Sequence, residues 1–287
     1  MNINKSIGPS TQRYAVLGEH LDHTWSPYIH NTLFEATGND AVYLPIIIDS
    51  AHFSSVIDVL RYGFKGFNVT IPYKEKILTY LDELDDRARA LKAVNTVEVV
   101  DGRLIGHNTD GMGMIRAIEA ERVPVTGVHA LILGGGGAAR VAGYEILERG
   151  GTVDFALRNP QKASGLIASF EDAFGDAASR IHAIDFDAVQ DSYDILINCT
   201  PVGMFPNQDA CPVEERVLES IGAVFDAVYN PRETRLLNLA RARGIPAVEG
   251  LGMLFYQAVE AQRFWRLLKL PLEQVQKEVY RALCASF

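Results

Sequence analysis

The segment HALILGGGGAARVAGYEIL, residues 129–147, restricts the fold more than any other part of the chain. A short apolar run leads into four glycines and then into a helical pattern, the order of strand, tight turn and helix in a βαβ unit. Gly134, Gly136 and Ala139 fit G-x-G-x-x-[GA]. The first glycine permits the turn, the second lets backbone approach a pyrophosphate, and the small third residue lets the helix lie close to the sheet. Because the helix start also offers unpaired N–H donors, a dinucleotide is the expected ligand.

The tip of the next strand decides which dinucleotide. TVDFAL runs into Arg158, and Arg158 and Lys162 stand four apart in LRNPQK. An NAD site needs a carboxylate at that tip for the ribose hydroxyls, whereas the nearest acid, Asp154, falls inside the strand. Two cations there suit a 2′-phosphate, so NADP is expected; two solvated loop cations are the other reading.

Around this unit the chain alternates β-rich and helical runs. RYAVLGE, AVYLPIII, GFKGFNVTI and NTVEVVDGRLIGH read as strands, the last as a hairpin turning at its Asp-Gly. SPYIHNTLFEATG reads as a helix with Pro27 in its first turn and Gly38 as its stop. PYKEKILTYLDEL reads as another, with Ile77, Leu78, Leu81 and Leu84 on one face. From about residue 127 the rhythm tightens through HALIL, TVDFAL, SGLIASFEDAFG, ILINCT and GAVFDAVYN, which implies parallel strands with crossover helices. The segment from 251 to the C terminus is helical in pattern and is expected to return to earlier structure.

Composition narrows the function classes. Of 287 residues 48% are apolar and 22% charged, a globular balance that excludes disorder as the main state. Thirty-six acids against 27 bases leave a net charge of −9, so no general basic field draws nucleic acid or an anionic membrane. No apolar stretch approaches the roughly 18 residues of a membrane span, and MNINKSIGPSTQ has no signal-type apolar run. A soluble, unexported, cytoplasmic protein is expected. Cys199, Cys211 and Cys284 form no C-x-x-C, and the seven histidines are scattered, with His20 and His23 the closest pair, so no metal site is expected. Cys199, at the end of an apolar strand, reads as a small buried filler.

The first half offers chemistry of another kind. In GFNVTIPYKEKIL, Pro72 suits a first helical position and places Lys74 in the first turn. The positive end of a helix disfavours a fixed ammonium, which suits such an amine to proton exchange. In GHNTDGMGMIRAIEA, Asp110 stands at a helix start, where its carboxylate is stabilised as the anion. Taken singly, Lys74 also reads as a surface lysine and Asp110 as a helix cap.

Eight short motifs change those readings together. HTWSPYIHN, NVTIPYK, AVNT, GHNTDG, the GGGGAAR turn, NCTPVGM, DAVYNP and GLGMLFYQA occur in this order, and the ensemble, from Tyr14 to Trp265, resembles the shikimate dehydrogenase family. The resemblance implies an α/β substrate-binding and catalytic domain over 1–112, a Rossmann-type doubly wound parallel sheet that binds NADP over 113–246, and C-terminal helices over 247–287 packing back on the first domain. It implies NADPH-dependent reduction of 3-dehydroshikimate to shikimate, on the route to chorismate and aromatic amino acids. Lys74 and Asp110 would be the catalytic pair, with the amine as acid and, in reverse, base.

The resemblance also implies that Thr24 and Ser26 receive the substrate carboxylate, and that Thr70, Asn95, Tyr229 and Gln257, with Lys74 and Asp110, bind the rest of the substrate. Gly134, Gly135, Gly136, Gly137 and Ala138 would cradle the pyrophosphate of NADP. Arg158 and Lys162 would take the adenosine phosphate, and Thr200, Val228 and Gly250 would line the nicotinamide end. Two departures stand out: Thr24-Trp25-Ser26 replaces the usual S-x-S, and Leu157-Arg158-Asn159 replaces the usual N-R-T. A quinate or dual quinate/shikimate dehydrogenase and a catalytically silent nucleotide-binding regulator stay open, as do a monomer and a homodimer.

Overall fold

A computed structural model describes residues 7–22, 24–186, 189, 192–268 and 273–286. The chain divides into two compact units, one of residues 1–109 and 258–287, the other of residues 110–257.

In the first unit β1 (Gln12–Gly18), β2 (Ala41–Ile47), β3 (Gly66–Val69), β4 (Glu83–Leu84), β5 (Thr96–Val100) and β6 (Arg103–His107) form a mixed sheet in the order β2-β1-β3-β5-β6-β4. Strands β2, β1 and β3 are parallel, and β5 runs antiparallel to both β3 and β6. The β5–β6 turn places Asp101 at φ +50° and Gly102 at φ +78°, the pair of left-handed residues that a two-residue hairpin of this twist demands. Side chains alternate along β1. Ala15 and Leu17 join Phe53, Ile57, Leu60, Phe67 and Tyr73 in one core, while Tyr14 and Val16 face Phe34, Tyr43 and Trp265 in another.

Helix α1 (Ser26–Ala36) ends as its glycine requires. Gly38, at φ +68°, donates to the Glu35 carbonyl and Asn39 to that of Phe34, a Schellman closure. Helix α2 (Phe53–Gly63) buries Phe53, Ile57 and Leu60 on one stripe. The C-terminal return brings Trp265 over Gly66, where a Cβ would lie 2.3 Å from the indole nitrogen, and that nitrogen donates to the Val97 carbonyl at 3.0 Å.

PYKEKILTYLDEL departs from the helix its periodicity predicts. It forms a single turn, α3 (Tyr73–Lys76), a 3-10 turn over Ile77–Tyr80, and then β4. Asp82 explains the change: its backbone N–H donates to the Leu104 carbonyl at 2.9 Å, and its carboxylate accepts from Leu104 N–H at 2.7 Å and from Arg61 at 2.6 Å. Pairing with β6 satisfies the backbone that a longer helix would have bonded internally. The four apolar side chains still reach the same core. Helix α4 (Asp86–Leu91) follows, capped by Asp85, which accepts from Ala88 N–H at 2.7 Å.

The second unit opens with α5 (Asp110–Ala120) and contains β7 (His129–Leu133), α6 (Gly137–Glu148), β8 (Thr152–Leu157), α7 (Ser164–Phe174), β9 (Ile181–Asp185), β10 (Ile195–Asn198), β11 (Val224–Asp226), α8 (Arg235–Ala242) and β12 (Ala247–Glu249). The sheet is parallel throughout, in the order β12-β11-β10-β7-β8-β9. Counted from β7, that is the doubly wound 3-2-1-4-5-6 arrangement, with its switch point between β7 and β10. Helix α9 (Gly250–Phe264) starts in this unit and ends in the first, and α10 (Glu273–Ser286) belongs to the first. Among the described residues no helix is long and apolar enough to cross a membrane.

Candidate active site

In the second unit a cavity of about 1020 Å³ opens at the switch point. Gly134, Gly135 and Gly136 form one wall and Leu157, Arg158 and Asn159 another. Gly134 sits at φ +102°, a conformation that side chains resist, and a Cβ there would lie 3.2 Å from Thr200. Gly136 is the N-cap of α6, and a Cβ on Gly136 or Gly137 would meet nothing within 4 Å. Gly137 and Ala138 are exposed, while Ala139 is fully buried against the sheet. The turn is therefore open above and closed below, and the first N–H groups of a 12-residue helix face the opening, a cradle that fits a pyrophosphate.

Arg158 follows β8 directly and is exposed. Asp154, the third residue of β8, is buried, accepting from the Tyr193 hydroxyl at 2.9 Å with His129 Nε2 at 3.3 Å, so it is no ribose ligand. Lys162 closes a 3-10 turn over Pro160–Lys162; its side chain, like His23, lies outside the described residues. Asp185, at the end of β9, also lines the cavity.

Thr200 and Val228 rest on a buried polar chain. Thr200 donates to Asn198 Oδ1 at 2.7 Å, Asn198 donates to Asp226 Oδ1 at 2.9 Å, and Asp226 further accepts from Val228 N–H at 3.0 Å and from Thr234 at 2.7 Å. Burial pushes the Asp226 carboxyl up to about 6, partly opposed by its hydrogen bonds from Thr234, Val228 and Asn198. Gly250 passes so near β11 that a Cβ would lie 2.6 Å from the Ala227 carbonyl oxygen. Tyr229 is half-exposed, and partial burial raises its phenol pKa. Cys199 lines the cavity, where burial and the Asp226 charge push its thiol up, away from nucleophilic use.

Asp110 is the first residue of α5, inside the helix rather than a cap beyond it. Gln257 lies in α9 of the same unit, nearly buried, and donates to the Leu254 carbonyl at 3.0 Å.

The other expected residues belong to the first unit. The Thr70 N–H donates to the Leu17 carbonyl at 3.0 Å, and the Thr70 carbonyl accepts from Tyr73 N–H at 2.8 Å. Pro72, after a cis peptide bond, stands just outside α3 and not at its first position. Because α3 has only four residues, the long helix dipole invoked for Lys74 does not exist; Lys74 is half-buried, and its carbonyl accepts from Val94 N–H at 2.8 Å. At the start of α1, Ser26 N–H donates to Thr24 Oγ1 at 3.4 Å, and Trp25 meets Tyr28 edge-on at 5.7 Å.

Asn95 is buried and engaged with its own unit. Its Oδ1 accepts from Thr109 N–H at 2.8 Å, and its Nδ2 donates to Thr109 Oγ1 at 3.0 Å. The chain continues inward: Asn68 donates to the Asn95 carbonyl at 3.0 Å and to Thr96 at 2.9 Å, and Tyr43 donates to Asn68 at 2.6 Å. Sequence reading missed this network and the Asn198–Asp226–Thr234 chain. The available signal was an Asn or Asp closing an apolar strand, as in ILIN and VFD. It also missed Arg140, which lines the cavity. Among the described residues no three His, Cys, Asp or Glu side chains gather as a metal site requires.

Residues 16–97 match the family model described as the shikimate dehydrogenase substrate binding domain. A shikimate dehydrogenase (NADP(+)) of Methanothermobacter thermautotrophicus is 40% identical over 281 residues, covering 96% of this chain and 99% of that one. The structure of shikimate 5-dehydrogenase from Thermus thermophilus in complex with NADP(H) and shikimate superposes with a TM-score of 0.83 at 34% identity, over 94% of this chain and 99% of that one. A quinate dehydrogenase from Corynebacterium glutamicum in complex with NAD gives a TM-score of 0.84 at 30% identity, over 95% of this chain and 99% of that one. On this identity and coverage across both units, the chain belongs to the shikimate dehydrogenase family.

Proposed function

We propose that the chain catalyses the reversible NADP(H)-dependent interconversion of 3-dehydroshikimate and shikimate, a step towards aromatic amino acids. One observation carries this reading. The open glycine turn faces a cavity that has Arg158, and no carboxylate, at the tip of β8, in a chain like the NADP-using dehydrogenases from end to end.

The residues divide the work by chemistry. Residues 134–138 would hold the pyrophosphate on glycine backbone and the α6 N–H groups, Arg158 with Lys162 the adenosine phosphate, and Thr200, Val228 and Gly250 the nicotinamide end. When bound, NADPH supplies the hydride that reduces the ring ketone. Lys74 donates a proton to that ketone oxygen as it becomes a hydroxyl, and takes it back in the reverse direction. Asp110 orients the amine and a ring hydroxyl. Thr24 and Ser26 receive the carboxylate, and Thr70, Asn95, Tyr229 and Gln257 the remaining polar groups. In this reading residues 1–112 bind substrate, 113–246 bind NADP, and 247–287 complete the first domain. The three cysteines, which form no disulfide among the described residues, fit a reducing cytoplasm.

Substituting Lys74 tests the assignment. Lys74→Ala is expected to lose about 10²-fold or more in kcat, the usual worth of a positioned acid, with NADPH affinity by fluorescence titration unchanged. Retained turnover in that variant would remove the role given to Lys74.

A further inference from the structure

Two guanidinium groups line the cavity of the second unit: Arg158 at the tip of β8 and Arg140, the fourth residue of α6. Neither side chain has an ion pair or hydrogen bond among the described residues. Other arginines in this acidic chain find partners: Arg149, further along the same helix, pairs with Glu145 at 2.5 Å, Arg61 with Asp82 at 2.6 Å, and Arg232 with Glu249 at 2.8 Å. Arg140 is half-buried, so part of its hydration is lost, and no anion among the described residues is returned for it. An exposed arginine without a partner needs no explanation; a half-buried one on a cavity wall does.

We propose that Arg140 is a second specificity determinant for NADP, closing on the 2′-phosphate from the α6 side while Arg158 holds it from the strand tip. The inference rests on the assignment of this cavity to NADP(H). The pyrophosphate already has the glycine turn and the N–H groups of residues 137–139, since the Arg140 N–H is the first of α6 to bond within the helix, to the Gly136 carbonyl at 3.0 Å. The phosphate monoester, a dianion with three terminal oxygens, matches two planar forks. A second arginine also answers two features of this chain: Asn159 stands beside Arg158 without a charge, and the Asp185 carboxylate shares the cavity wall.

Calorimetric titration of the purified full chain separates the outcomes. NADP⁺, NAD⁺, 2′,5′-ADP and 5′-AMP are titrated into the wild type, Arg140→Gln and Arg158→Gln, with circular dichroism confirming that each variant is folded. Arg140→Gln is expected to weaken NADP⁺ and 2′,5′-ADP about tenfold, the worth of one charge-assisted contact, and to leave NAD⁺ and 5′-AMP within about twofold. The NADP⁺ affinity difference between wild type and variant should shrink as salt is raised. Equal weakening of NADP⁺ and NAD⁺ would make Arg140 a pyrophosphate ligand and overturn the proposal, as would unchanged affinity for all four. A wild type that does not bind NADP⁺ at all would instead defeat the underlying assignment of the cavity.

Discussion

Gly113 lies so close to Gln257 that a Cβ at position 113 would come within 2.5 Å of the Gln257 backbone nitrogen and 2.7 Å of the Met253 carbonyl oxygen. The bare face of α5 thus sets its distance from α9, and with it the separation of Asp110 from Gln257 within one unit. Gly111 plays the same part towards α6, where a Cβ would lie 2.6 Å from the buried Glu145 side chain. Backbone cannot rotate away as a side-chain tip can, so Gly113→Ala is expected to destabilise by about 1–3 kcal/mol in urea unfolding. It should also lower kcat/KM about tenfold or more through misplacement of Asp110 and Gln257. Gly63→Ala, where a Cβ meets nothing within 4 Å, should change stability by no more than about 0.5 kcal/mol.

His30 should make the first unit acid-sensitive. It is fully buried, stacked on Tyr43 at 4.1 Å, with Nδ1 3.1 Å from Gln262 Nε2, and burial lowers its pKa to about 3. The unfolded chain takes a proton on this imidazole near its ordinary 6.5, whereas the folded chain resists it until about 3. Stability is therefore lost as pH falls from 6.5 towards 3. Relative to His30→Gln, the wild type should lose about 3 kcal/mol of unfolding free energy between pH 7 and pH 4.

Asp226 should act in the opposite direction. Its carboxyl titrates at about 6 in the folded chain against 3.8 ordinarily, so the folded state binds the proton more tightly across that window. Relative to Asp226→Asn, the wild type should gain about 2 kcal/mol between pH 7 and pH 4, read by the same denaturant series.

What the sequence displayed was local. The glycine turn, the Asp-Gly hairpin and the Gly38 stop each fix their own backbone, and the structure has them in place. Short, largely apolar runs marked β7, β8 and β10, which are buried in the sheet. Strands β9 and β12 carry no such run because they are its two edges, half in solvent. The over-long helix after Pro72 has the same origin: periodicity cannot register that Asp82 finds a partner in Leu104, 22 residues away. The Tyr43–Asn68–Asn95–Thr109 network is assembled from two strands and two connecting segments, and no spacing in the chain announces it. Arg140 was visible in GGGGAAR, but only the cavity and the lack of an anion partner among the described residues give it a meaning.

Steady-state oxidation of shikimate and of quinate, each with NADP⁺ and with NAD⁺, tests the central claim in one matrix. Shikimate with NADP⁺ should give the highest kcat/KM of the four combinations, with loss of either the correct ring or the 2′-phosphate costing about tenfold or more. Quinate matching or exceeding shikimate, NAD⁺ matching NADP⁺, or no turnover with any pair would contradict it.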